Sequence, residues 1–238
     1  MPQHRASDRQ IQMLYVNEEL LIAVSTVETG MAILQNNHLY RRNEFPLMLM
    51  LSSGIERVLK IVQHLGVFNT EGRFRAVRRT HDLGALRIWV LRECFTATYR
   101  TKPNMHADRD YLTNDPLLLA MFGVLSDFSD ARGSRYLYMD AIANPQMEDA
   151  SDRWPKRQWE RLEMLCIDTA GGIRPEIIEQ QHKEATRQLV GVVERFMRII
   201  GRLFRFGGLG DAALPPSTYF SKFIRMAEHE FGTVAYPV

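Results

Sequence analysis

The chain has 238 residues, enough for one large or two small domains with a sizeable core. Hydrophobic residues make up 45% and charged residues 24%, which excludes a disordered or fibrous protein. The net charge of +2 excludes a strongly basic nucleic-acid binder, so any such surface must be a local patch. Of 30 basic residues 25 are arginine, the planar, bidentate cation suited to phosphate. No apolar run reaches the ~20 residues of a membrane span, and "MPQHRASDRQ" lacks the apolar segment of a signal peptide. A cytoplasmic protein without membrane association is expected. Cys94 and Cys166 lie among apolar residues and read as buried free thiols.

The pattern is helical throughout, and the class is all-α. Ser7 or Asp8 caps a first helix to about Asn36, with Ile11, Leu14, Leu21 and Val24 near one face. A second helix takes Pro46 in its first turn and Gly66 at its end. Its stripe is Leu51, Ile55, Leu59, Val62 and Leu65. After "VFNTEGRFRAVRR", Thr80 is the expected N-cap of a third helix that buries Leu83, Leu86, Val90 and Cys94. Asp115-Pro116 opens a fourth, "ARGSRYLYMDAI" is a short fifth, and another starts at Pro155 and stops by "AGG" at 170–172.

The longest helix should run from Pro175 to Phe206. Leu189, Val192, Phe196, Ile199, Ile200 and Leu203 share its inner face, while Arg195, Arg198, Arg202 and Arg205 share the opposite, solvated one. A last helix from Ser217 turns Phe220, Phe223, Ile224 and Ala227 inward. The polar stretch 144–156 divides a bundle over 1–150 from a helical extension over 151–238, whether as two domains or as two layers of one body.

Three constellations carry chemistry. "RFRAVRR" gathers Arg73, Arg75, Arg78 and Arg79 around Phe74, a set able to hold phosphate and stack a base, or else a solvated loop. "SDARGSRYLYMD" sets Arg132 and Arg135 beside Tyr136 and Tyr138. His81-Asp82, in "THDLGAL", resembles the paired ligands of the HD phosphohydrolases, which bind metal ions to polarise water and phosphate. Arg78-Arg79-Thr80 before the pair and Ala85 after the glycine depart from that pattern.

Residues 52 to 86 resemble the HEPN family over a longer stretch. Glu56, Arg57, Leu59, Lys60, Thr80, His81, Asp82, Leu83 and Leu86 follow the family's order, and "ARGSRYLYMD" resembles its later Arg-Tyr region. The resemblance implies an HEPN-like helical bundle, often a homodimer, that binds RNA or nucleotide and has a protein partner or antitoxin in toxin or defence systems. Its active members are metal-independent ribonucleases with an Arg, four to six residues and a His. Here His supplies acid–base catalysis and Arg stabilises the phosphorane. Arg57/His64, Arg75/His81 and Arg100/His106 satisfy the spacing, a yield that arginine abundance alone accounts for. Arg75 and His81 are the candidate catalytic pair, and Arg73, Arg78, Arg79, Arg132 and Arg135 the candidate nucleic-acid contacts, with no metal ligand and no cofactor. A non-catalytic binding module is the alternative function, and a metal-dependent phosphohydrolase a further one. His81 also has a structural role open to it, docking at a helix start.

Overall fold

A computed structural model describes residues 7–36, 44–77, 79–95, 103–130, 133–144, 152–167, 175–206 and 208–237. Among the described residues there are helices and turns but no strand. The α-helices are α1 (Asp8–Gln35), α2 (Glu44–Glu71), α3 (Leu83–Glu93), α4 (Pro103–Asn114), α5 (Pro116–Ser129), α6 (Leu137–Ala143), α7 (Pro155–Met164), α8 (Pro175–Arg205) and α9 (Ser221–Arg225). No described helix is long and apolar enough to cross a membrane.

Helix α2 is the axis. It lies against α1 along most of its length and also touches α3, α5 and α7. Its stripe Leu51, Ile55, Leu59, Val62 and Leu65 is wholly buried, as the spacing predicts. Close approach to α1 needs small residues at the crossing: a Cβ on Gly54 would sit 2.9 Å from the backbone nitrogen of Val27. The expected stop at Gly66 is wrong. Helix α2 continues to Glu71, and Gly72 ends it at φ 70°, the left-handed conformation that glycine adopts freely. Gly66 instead makes room for a ring, since a Cβ there would lie 2.9 Å from Cη2 of Trp89.

Helix α1 begins at a capping box in which Ser7 and Gln10 bond each other's backbone, close to the expected start. Of the face expected to be buried, Val24 alone is. Leu20, Ala23, Val24, Val27, Met31 and Leu34 face the core, whereas Ile11, Leu14 and Leu21 are exposed. The helix is apolar on several sides, so periodicity alone does not select which one meets α2. Helix α4 has no counterpart in the expected elements, because its sequence "PNMHADRDYLTN" is polar and offers no stripe.

One hydrophobic cluster runs from Leu20 of α1 through Phe122 of α5 and Trp159 of α7 to Phe196 of α8 and Phe220, so the core is continuous across 144–156. Both thiols are free and buried.

The inner face of α8 is as expected, but its arginine face is not solvated. Arg198 is buried, Arg202 is nearly so, and only Arg205 is exposed. Helix α4 supplies Asp108, whose Oδ1 accepts from Arg202 at 2.8 Å. The C-terminal segment supplies Glu228 to Arg198 and the ring of Phe231 beneath its guanidinium at 4.4 Å. Arg195 lies over Tyr111 at 4.3 Å. An arginine row reads as surface only while nothing folds over it, and here α4 and the C-terminal segment do. The final turns also differ from the expected helix. Pro215–Phe220 is 3-10, α9 is five residues long, and Met226 is buried while Ala227 is exposed.

Candidate nucleic-acid site

The site forms where α2, the start of α3 and the turn after α5 converge. His81 stands just before α3, whose N-cap is Asp82 rather than the expected Thr80. Asp82 Oδ1 accepts from the backbone N–H of Ala85 at 2.9 Å, and Thr80 Oγ1 accepts from that of Asp82 at 3.1 Å. The Leu83 N–H donates to Ser126 Oγ of α5 at 2.9 Å, and buried Leu83 and Leu86 anchor the turn. The segment carrying His81 is thus held from both sides.

Its ring meets Glu56 of α2, with Nδ1 and Oε2 2.9 Å apart. The other Glu56 oxygen accepts from Lys60 Nζ at 2.5 Å, one turn along the same helix. The tautomer that donates from Nδ1 to this carboxylate leaves Nε2 as the unprotonated ring nitrogen. Glu56 is largely buried and His81 largely exposed.

Glu56 and His81 both line a groove of about 480 Å³, together with Leu49, Ser52, Ser53 and Arg57 of α2 and with Ser129, Arg135 and Tyr136. Arg135 arrives from the 3-10 turn Ser134–Tyr136 and has no carboxylate partner among the described residues. Its guanidinium lies 5.5 Å from the Tyr136 ring centroid. That turn is fixed from beneath. Buried Ser134 bonds Gln158 Oε1 of α7 at 3.2 Å, and Gln158 Nε2 donates to Asp127 Oδ2 of α5 at 2.7 Å. Gly133 allows the chain to pass α5, because a Cβ there would fall 1.6 Å from the carbonyl oxygen of Asp127. Arg57 is held to Glu19 of α1 at 3.0 Å, an exposed pair that leaves the guanidinium at the groove wall.

His81 and Arg135 therefore share one groove, although 54 positions separate them. Arg75 is elsewhere: it pairs with Glu71 at the end of α2 and does not line the groove. Arg73 reaches the same carboxylate at 3.9 Å. Arg79 is exposed without a carboxylate partner among the described residues. Arg78 and Arg132 lie outside the described residues, as does Arg100. One face of the Phe74 ring lies on Phe68, centroids 4.6 Å apart. The two residues of the His81-Asp82 pair have different neighbours. His81 turns to Glu56, Asp82 caps α3, and among the described residues no three His, Cys, Asp or Glu side chains converge as metal ligands.

Sequence reasoning placed Glu56 in a family pattern but without a partner, and it passed over Ser52, Ser53 and Ser129. No spacing rule links α2 to the turn at residue 134. No family model, curated protein or solved structure matches this chain.

Proposed function

We propose that the groove binds RNA and cleaves its backbone by attack of the neighbouring 2′-hydroxyl. The observation that carries this reading is the Glu56–His81 pair in the wall of a groove that also holds Arg135, which has no carboxylate partner among the described residues. His81 Nε2 takes the 2′-OH proton as the 2′-oxygen attacks phosphorus. The phosphorus bond to the 5′-oxygen breaks, and the leaving oxygen takes a proton from water. Arg135 faces the charge that builds on the phosphorane oxygens, and Arg57 adds to it from the wall. Glu56 is a positioning residue: it fixes the tautomer of His81 and stabilises the imidazolium. Since the nucleophile is part of the substrate, this chemistry needs no bound metal.

In this reading Arg135 takes the role that the Arg-x5-His spacing gives to Arg75. His81→Ala should abolish RNA cleavage with little change in melting, because the side chain is mostly exposed. Arg135→Ala should lower both cleavage and the salt dependence of RNA binding, the slope falling by about one, while Arg75→Ala should leave cleavage near wild type. RNA bound but not cleaved by the wild-type protein would instead mark a non-catalytic nucleic-acid-binding module.

A further inference from the structure

Helix α6 and the turn before it present an apolar row to solvent. Tyr136 is 49% exposed, Met139 66% and Ile142 77%, while buried Leu137 pins the start of the helix. Spaced by three, these side chains fall within an arc of about 120° on one side of the helix. Among the described residues α6 packs at length only against the 3-10 turn that precedes it. Exposed apolar residues scattered singly are ordinary, but a row of them on one helix face marks a binding surface. Tyr136 ties this row to the groove, because it lines the groove together with Arg135.

The chemistry at the groove end of the row selects its occupant. Arg135 lies beside the Tyr136 ring and has no carboxylate partner among the described residues, so an anionic group complements it. An apolar row that starts at an unneutralised guanidinium matches a chain in which phosphates and bases alternate. Steps of about 4.5 Å along the helix axis are wider than the ~3.4 Å between stacked bases, so successive side chains meet separate, splayed bases. The exposed carboxylate of Asp140 borders the Tyr136 edge of the row and repels phosphate there, which leaves the row to the uncharged bases. We infer that Tyr136, Met139 and Ile142 form a base-binding ridge: it takes unpaired bases of an RNA strand on one side of the scissile phosphate, the first of them packed on Tyr136. The inference rests on the reading of the groove as an RNA site, and adds to it where the bases lie and that they are unpaired.

The test reads binding alone, by fluorescence anisotropy of labelled 2′-deoxyadenylate strands on the whole protein; these strands lack the attacking hydroxyl. The open strand should bind more tightly than an abasic strand of equal length, and more tightly than a fully paired hairpin with as many phosphates. Tyr136→Ala should weaken binding of the open strand by about 5- to 100-fold, the value of one stacked base, while Tyr136→Phe keeps it. Met139→Ser and Ile142→Ser, at exposed positions where folding is little affected, should each weaken it to a smaller extent. None of these variants should change binding of the abasic strand or the slope of affinity against salt, which phosphate contacts such as that of Arg135 set. Equal affinity for open and abasic strands, a hairpin bound as tightly as the open strand, or wild-type affinity in Tyr136→Ala would overturn the inference. An abasic strand that still binds with an Arg135-dependent salt slope would in that case leave the groove standing as an RNA site, whereas no binding of any strand would overturn both readings.

Discussion

Replacing Glu56 by Gln probes the site most directly, because it keeps the shape of the side chain and removes only its charge. In the wild-type protein the carboxylate touches His81 Nδ1 at 2.9 Å and Lys60 Nζ at 2.5 Å. A hydrogen bond to a charged group contributes about 1.5–3 kcal/mol. The Glu56 side chain is 13% exposed, which keeps that value high, but His81 is 58% exposed, so solvent screens part of it. A loss of about 1–2 kcal/mol of imidazolium stabilisation is the fitting magnitude, which is roughly a 5- to 30-fold fall in kcat/KM. The amide can also donate to Nδ1 and so favour the wrong tautomer, which acts in the same direction. Single-turnover cleavage of a short RNA, with a melting curve on the same preparation, checks this. Glu56→Gln with wild-type cleavage and wild-type melting would refute the positioning role. A large drop in melting temperature with unchanged activity per folded molecule would make Glu56 a structural residue only.

Three further outcomes follow from the geometry. Burial holds His64 below its ordinary value of 6.5, partly offset by a hydrogen bond with the Arg75 backbone, so its neutral form adds stability in full above pH 6.5. That contribution falls away as pH drops from 6.5 through the lowered folded value, so His64→Gln should lose less melting temperature than wild type between neutral pH and about pH 5. Burial with the nearby Glu93 pushes the Cys94 thiol up to about 12, and burial with Glu163 and Glu184 pushes Cys166 up to about 11. Neither should react with a thiol reagent at mildly alkaline pH until denaturant is added, and rapid labelling of the native protein would contradict their burial. Gly133→Ala forces a Cβ against the Asp127 carbonyl and should cost about 1–3 kcal/mol by overpacking, read as a lower melting temperature along with loss of cleavage as Arg135 moves. Wild-type values for both would show that the turn has slack the geometry denies.

What the sequence by itself determined is local. Apolar spacing at three and four residues is enough for α2, and the buried stripes of α2, α3 and the inner side of α8 follow from it. Caps are local as well: Asp115 opens α5 as expected, although Asp82 rather than Thr80 opens α3, a shift of two residues within one turn. Tertiary structure alone decided the rest. A helix apolar on several sides, such as α1, has its buried face chosen by the partner it meets. The arginine row of α8 became interior because Asp108 and the C-terminal segment folded over it, and neither is its neighbour in sequence. The candidate site is of the same kind. Glu56 and His81 are 25 positions apart, and Arg135 joins them only because Ser134 and Gln158 hold its turn against α5 and α7. Periodicity records which residues a helix hides. It carries no record of which two helices meet, and the meeting is what sets an imidazole, a carboxylate and a guanidinium around one groove.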